Sequence, residues 1–527
     1  MKIGNYALGK WTEHDGNGFT QYNAITGEVI GTVGSEGLDY KAMHNYARTV
    51  GGPALRKMTF YERGLMLKKL ALYLNGIKKK YYPVSYLSGA TKGDSWIDID
   101  GGIGTLFAYA SLRRQLGNQR FYVEGDTAKI SKNGTFVGQH IMSPKQGVVV
   151  HINAFNFPIW GMLEKLAVNW LAGMPAIVKP SEITSYLTQA MVKDIIDCGL
   201  IPEGALQLDC GKGIGIIDDL TSQDVVTFTG SASTGRMLKS LPHIVNNAIP
   251  FNMEADSLNA AVLGEDCEPG SEDFNLFIKE VRREITVKAG QKCTAVRRII
   301  VPENYLEDVQ IALANSLQKT TIGDPNNEAV RMGAIVSKNQ VDDVKAQVKK
   351  LAKETPIVCG DLENFDVIGA DKNKGAFLSP ILLLNDSPFS KTDSHNVEAF
   401  GPVSTLMPYK DLDEAIELTK MGKGSLVSTI ATSNVNTATE YVTEAAAYNG
   451  RILILNQESA KESTGHGSPM PQLNHGGPGR AGGGEELGGL GSVKHYLQKT
   501  AVQGHPTMLS EVTQRYQYGG AYKEKDL

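Results

Sequence analysis

The octapeptide Lys288–Ala295, KAGQKCTA, sets a cysteine just past a charged helical run, on a Gly-Gln-Lys approach with small residues behind it. A structural thiol belongs inside an apolar stripe, whereas this one is presented. A presented thiolate near neutral pH is a strong nucleophile. Two further stretches carry groups suited to a nucleotide. VKPSE, at 178–182, ends a strand-like run with a lysine and a carboxylate three positions apart, which could grip the two hydroxyls of a ribose. Taken alone, it reads more readily as a solvated strand end. TGSASTG places four residues between Gly230 and Gly235, yet Arg236 and Met237 stand where a P-loop needs Lys and Ser/Thr. A strand entering such a Gly-Ser turn and then a helix still offers backbone N–H groups to a pyrophosphate. CGKGIG, at 210–215, fails the dinucleotide fingerprint, because its third glycine would fall on Ile216.

These residues need a scaffold, and the middle of the chain supplies alternating strands and helices. QGVVVHI, PAIVKP, GALQLDC and DVVTFTG read as strands, with GMLEKLAVNWLAGM and SYLTQAMVKDIIDCGL as helices among them. The rhythm resumes in RRIIVP, DLDEAIELTKMG, SLVSTIAT, NTATEYVTEAAAYNG and RILILN. The pattern predicts α/β architecture, with two doubly wound parallel-sheet domains meeting near residues 255–260. FYVEGDTAKISKNGTFVGQHIM alternates around Asn133-Gly134 and predicts a β-hairpin projecting from that body. The segment HGSPMPQLNHGGPGRAGGGEELGGLGS has linker-like glycine content but carries His466, His475, Arg480, Glu485 and Glu486, which argues for an ordered loop.

Bulk properties exclude other classes. A chain of 527 residues exceeds one simple core, and 41% hydrophobic with 21% charged residues describes an ordinary globular protein. A net charge of −4 gives no attraction to nucleic acid or membrane surfaces. The N-terminal run lacks an apolar signal core, and no segment nears the roughly 18 apolar residues of a membrane span. Cys198, Cys210, Cys267, Cys293 and Cys359 are too scattered for a disulfide framework, so a reducing, cytoplasmic setting is expected. No Cys/His spacing suggests a metal, and His466 and His475 read as loop or tunnel residues.

Six weak motifs in one order make a specific set: NAFNFP at 153–158, VKPSE at 178–182, FTGSASTG at 228–235, MEADSLNAAVL at 253–263, GQKCTA at 290–295 and EAFGPV at 398–403. The set resembles the NAD(P)-dependent aldehyde dehydrogenase superfamily over almost the whole chain. The resemblance implies that fold, with a small β oligomerisation arm. It implies an NAD(P)-binding domain over 1–118 and 146–257 and a catalytic domain over 258–457. A glycine-rich active-site loop would follow over 458–490, with arm and tail over 119–145 and 491–527. It implies Cys293 as nucleophile, Asn156 and the Cys293 backbone N–H as oxyanion donors, and Glu254 as general base, with Asp256 the weaker competing carboxylate. For the cofactor it implies Lys179, Ser181 and Glu182 at the adenosine ribose, Gly230 and Ser231 at the pyrophosphate, and Phe155, Glu398 and Phe400 at the nicotinamide end. A carboxylate at Glu182 favours a free 2′-hydroxyl, while the nearest resemblance is associated with NADP, so the cofactor is NAD or NADP.

More narrowly, SGATKGDSWIDIDGGIGTLFAYASL and NQESAKESTGHGSPMPQLNHGGPGRAGGGEELGGLGSVKHYLQKTAVQG resemble the dehydrogenase half of bifunctional ring-opening enzymes of phenylacetate catabolism. These pair an oxepin-CoA hydrolase with a 3-oxo-5,6-dehydrosuberyl-CoA semialdehyde dehydrogenase. The expectation is a CoA-linked semialdehyde substrate, a homodimer or dimer-based oligomer, and a separate hydratase, since the chain stops at Leu527 with no hydratase domain. Alternatives are 3,4-dehydroadipyl-CoA semialdehyde oxidation in benzoyl-CoA breakdown, a CoA-acylating or general aldehyde dehydrogenase, and a non-catalytic scaffold of the same fold.

Overall fold

The computed structural model describes residues 2–521; the end of the expected tail, 522–527, lies outside them. Two seven-stranded sheets carry the structure. In the first, the spatial order is Phe251–Glu254, Val225–Thr229, Val149–Ile152, Ala176–Lys179, Leu206–Leu208, Asn5–Ala7, Lys10–Thr12. Its first five strands are parallel and the two N-terminal ones antiparallel. The second runs Ile357–Cys359, Ile381–Leu384, Val403–Tyr409, Val296–Pro302, Asn259–Leu263, Ser425–Ala431, Asn449–Leu455. All its pairings are parallel except that of the edge strand Ile357–Cys359. The chain passes from one sheet to the other between Glu254 and Asn259.

The strands read as apolar runs because both faces are covered; every residue of Val296–Pro302 and Ser425–Ala431 is buried. The helix Pro158–Ala172 packs on the first sheet and against the helix Lys92–Ser111. Pro158 opens it, where a missing N–H costs nothing, and Gly173 closes it in a left-handed C-cap at φ 96°. Trp170 on this helix is fully buried and donates from Nε1 to the Ala205 carbonyl at 3.0 Å. Truncating a core side chain of that size typically costs about 3–5 kcal/mol.

The hairpin forms between Tyr122–Lys129 and Val137–Pro144, with residues 130–136 as connection and Gly134 at φ 72°. The connection is thus longer than a two-residue Asn-Gly turn. Leu497–Gly504 adds a third strand antiparallel to Val137–Pro144, so these two segments pair within one chain. The glycine-rich segment is built structure as well. Its strands His475–Gly476 and Glu485–Leu487 pair antiparallel. Gly484 N and Ala255 N, bonded to the Met253 and Ala481 carbonyls, fasten it along the strand Phe251–Glu254.

Candidate active site

The turn that leads to Cys293 departs from helix after Thr286. Lys288, Ala289 and Gly290 take left-handed backbone in succession, with φ of 55°, 50° and 66°. Such conformations at non-glycine residues cost of order 1–3 kcal/mol each and persist only where surroundings enforce them. The enforcement is visible: Lys288 N donates to Asp94 Oδ1 at 2.7 Å, and Arg297 donates to the Gly290 and Gly401 carbonyls at 2.9 and 2.7 Å. Gly290 permits the approach, since a Cβ there would stand 2.1 Å from the Gly401 oxygen. Asn259 Nδ2 donates to the Cys293 carbonyl at 2.8 Å. Cys293 is partly buried, and two clefts meet at it.

Asn156, Glu254 and Cys293 line both clefts, so the fold brings these three around one point. Asn156 is 7% exposed and gives one amide hydrogen to the Gln291 carbonyl at 3.1 Å, which leaves its second hydrogen to serve the pocket. Burial, followed by the neighbouring Glu254 carboxylate, pushes the Cys293 thiol well above its ordinary range. It rests protonated and needs a base to ionise. Glu254 ends its strand at 2% exposure. Burial alone would raise its carboxyl, but His475, 3.0 Å away, outweighs that and holds it well below the usual carboxylate range. The opposite holds for Glu486. Burial and the charges of Glu254 and Glu164 push it far up against the pull of Lys165, so Glu486 keeps its proton. Lys165 stays charged despite burial because Glu164, at 3.4 Å, and Glu254 supply negative charge, while oxygens of Glu486 and Thr229 lie 3.0 and 2.8 Å from its Nζ. Thr229 Oγ1 accepts from Lys165 Nζ and donates to Glu486 Oε1, both at 2.8 Å.

Asp256 does not compete with Glu254. Its Oδ2 accepts from Arg480 Nε and Nη2 at 3.0 and 2.8 Å, and its Oδ1 accepts from Ala232 N at 3.0 Å. It anchors the first turn of the helix Ala232–Lys239 instead. His466 is likewise occupied, its Nδ1 2.6 Å from Thr429 Oγ1, and burial lowers it to about 4. His475, expected to be a loop or tunnel residue, lines the second cleft and is buried against Glu254. Spacing in the chain gave no metal pattern, yet folding brings ligand-type atoms of Glu254, Cys293 and His475 within 4.8 Å of one another.

The larger cleft, about 610 Å³, holds all the residues assigned to a dinucleotide. It opens at the carboxyl ends of the parallel strands of the first sheet, where such folds bind ligands. Lys179 Nζ lies 3.1 Å from Glu182 Oε2, with Ser181 beside them in the lining. Gly230 follows the strand Val225–Thr229, and a Cβ there would meet the Phe228 ring at 2.8 Å. Ser231 caps the next helix by accepting from Thr234 N at 3.3 Å. At the inner end the Phe155 and Phe400 rings meet edge-on at 5.8 Å. Burial raises Glu398 to about 7 although Arg297 Nε stands 3.5 Å away, and its Oε1 has no hydrogen-bond donor. A cradle with a helix N-terminus, a lysine–carboxylate pair and a buried carboxyl oxygen awaiting a donor suits a nicotinamide dinucleotide. The second cleft is slender, about 80 Å³, with Ile97, Phe157, Trp160 and Pro469 on its walls and Arg283 beside them.

Four side chains of this site carried no role in the sequence reading: His475, Glu486, Glu164 and Lys165. The last two leave a signal, a charged pair inside the otherwise apolar run GMLEKLAVNWLAG. Fully buried charges are retained where something pairs them.

Fold and site together define an oxidoreductase acting on aldehydes. The chain belongs to the aldehyde dehydrogenase family, whose model matches residues 11–502. It is 40% identical over 479 residues to the 3,4-dehydroadipyl-CoA semialdehyde dehydrogenase of Aromatoleum evansii, covering 91% of this chain and 93% of that one. Protein MaoC of Klebsiella aerogenes is 50% identical over 194 residues, which is 37% of this chain and 56% of that protein. Among solved structures, betaine aldehyde dehydrogenase of Staphylococcus aureus in complex with NAD+ shares the fold at TM-score 0.82 and 22% identity, with 96% of each chain covered. Among the described residues, no helix is long and apolar enough to cross a membrane.

Asn156→Ala is expected to lower kcat by about 10²–10³, the usual cost of one lost oxyanion donor. Thermal unfolding would follow the same transition as wild type. A collapse in Tm without a kcat effect in the folded fraction would make Asn156 a turn residue only.

Proposed function

We propose that this chain oxidises a CoA-linked semialdehyde to its carboxylic acid, using NAD or NADP, through a covalent intermediate on Cys293. The observation that carries the reading is the meeting of two clefts of different shape at one thiol: a wide one suited to a dinucleotide and a slender apolar one suited to an acyl chain. The long match to a dehydrogenase of a CoA-linked semialdehyde supports the substrate class. It favours the dehydroadipyl length over the dehydrosuberyl one.

Glu254 takes the Cys293 proton, and the sulfur adds to the aldehyde carbon. The resulting oxyanion is held by the Asn156 amide and the Cys293 backbone N–H. A bound nicotinamide would supply the hydride acceptor, and loss of hydride from the carbon held by Cys293 would leave a thioester on that residue. Glu254 releases that proton to solvent and then takes one from water, whose oxygen adds to the thioester carbon; the tetrahedral centre collapses to the carboxylic acid and the Cys293 sulfur leaves as thiolate. Phe155 and Phe400 wall the ring site, and Glu398 with Arg297 beside it borders the ribose. Lys179 with Glu182 grips the adenosine hydroxyls, Ser181 lies next to them, and Gly230 with Ser231 receives the pyrophosphate.

The slender cleft is far too small for a CoA nucleotide, so that portion stays outside, with Arg283 as a cation near the mouth. Its binding energy positions the aldehyde rather than reacting. In an NAD(P)H absorbance assay, six- and eight-carbon CoA-linked semialdehydes are expected to exceed short free aldehydes by roughly 10²-fold or more in kcat/KM. Equal efficiency on both would leave a general aldehyde dehydrogenase. The same 527-residue preparation is expected to leave oxepin-CoA unopened. The arm segments around 119–145 and 491–504 offer sheet edges for a dimer-based assembly.

A further inference from the structure

Glu254 has a partner that neither the reaction nor the comparisons assign. His475 Nε2 stands 3.0 Å from Glu254 Oε2, and both side chains are buried, at 7% and 2% exposure. The glycine-rich segment delivers His475 on one strand and Glu486 on the strand paired with it. Both therefore reach the base from the same side, while Cys293 approaches it from the other domain.

We propose that the His475 imidazolium is a positioning residue for the general base: its charge holds the Glu254 carboxylate ionised and parked beside Cys293 between half-reactions, and so governs how readily Cys293 gives up its proton. The proposal rests on the reading of Cys293 as nucleophile and Glu254 as base.

Charge balance supports it. The groups facing His475 are Glu254, Glu486 on the paired strand, Glu164 and Lys165 on the helix Pro158–Ala172, and Cys293. Arg451, from the second sheet, acts at longer range and is tied to the His466 and Ser468 carbonyls. With Glu486 protonated, Glu254 and Glu164 supply two negative charges, and Lys165 and His475 supply two positive ones. A dry cluster tolerates that neutral arrangement far better than one with an unmatched carboxylate. A neutral His475 would leave the pocket negative and make a thiolate harder to form. Burial alone would lower His475, but the Glu254 carboxylate overcomes it and raises the imidazole above its ordinary value. The charged form is therefore present at and below that raised value and is lost as pH rises through it. When Glu254 takes the Cys293 proton, the S–H bond breaks, an O–H bond forms, and the carboxyl loses the charge that held it to the imidazolium. It is then free to turn, and it returns to His475 on giving up that proton.

The test is alkylation of Cys293 by iodoacetamide as a function of pH, read by peptide mapping on the full-length chain without cofactor or substrate. His475→Gln keeps a hydrogen-bond donor without the charge, His475→Lys keeps a charge, and His475→Phe keeps neither. The Gln and Phe variants are expected to shift the alkylation midpoint upward by about one pH unit, slowing the reaction roughly 10-fold at pH 7. The Lys variant would recover most of the rate. A purely steric role predicts a wild-type profile for Gln, and that result overturns the proposal. A second measurement avoids variants at His475. Diethyl pyrocarbonate acylates imidazole in its neutral form and not as imidazolium, so the pH profile of His475 modification would lie at lower pH in Glu254→Gln than in the wild type. Equal modification in both also refutes the pairing. Neither reading needs turnover, so an error in the substrate assignment leaves both intact.

Discussion

Cys293→Ala abolishes aldehyde oxidation, with kcat falling at least roughly 10⁴-fold, while the fold and cofactor binding survive. No other cysteine can stand in. Cys210, Cys267 and Cys359 are buried. Burial also pushes the thiols of all four remaining cysteines upward, and their Sγ–H groups are directed at backbone carbonyls, as in Cys267 to Ala431 and Cys198 to Ile195. None of them lines either cleft. The main-chain anchors of the nucleophile turn lie at Lys288, Gly290 and the Cys293 carbonyl, which alanine preserves. Circular dichroism and NAD(P) titration by fluorescence check the fold and the cleft, and a steady-state assay checks the loss. Substantial turnover in a folded, cofactor-binding variant would move the chemistry to another group.

Glu254→Gln separates the two halves of the reaction. Glutamine has the shape of the carboxylate but cannot take a proton from water. Steady-state turnover is expected to fall by about 10²-fold or more, because deacylation loses its base. Stopped-flow mixing is expected to retain at least part of a single burst of NAD(P)H, since thiolate addition and hydride loss still have the oxyanion donors. The neighbouring carboxylate is also one of the influences that raise the Cys293 thiol. Its removal therefore moves the alkylation midpoint of Cys293 downward, opposite to the shift expected for His475→Gln. A single structural disturbance common to both variants would move the two midpoints the same way. Wild-type steady-state turnover in Glu254→Gln would eliminate Glu254 as the hydrolytic base.

Local features of the chain already determine much of this protein. The short β-branched runs and the amphipathic stretches between them define parallel strands and crossover helices, because hydrophobic period and right-handed connection are local rules. The chain changes sheet between Glu254 and Asn259. KAGQKCTA signalled a presented cysteine, and the structure explains the presentation by three left-handed residues in a row. The order of the weak motifs carried the family.

What surrounds the base was decided only by tertiary structure. Arg480 meets Asp256 across 224 positions, and His475 and Glu486 reach Glu254 over a comparable span. The docking that brings them there runs through backbone hydrogen bonds of a glycine-rich segment, which has no side-chain periodicity to read. Protonation followed from that docking as well. Glu254 and Glu486 are the same residue type, each at the end or middle of a short strand, yet one is held ionised by an imidazolium and the other keeps its proton among negative neighbours. Residue type sets only the ordinary titration range; burial and the charges that folding places a few ångströms away decide which carboxyl is ionised.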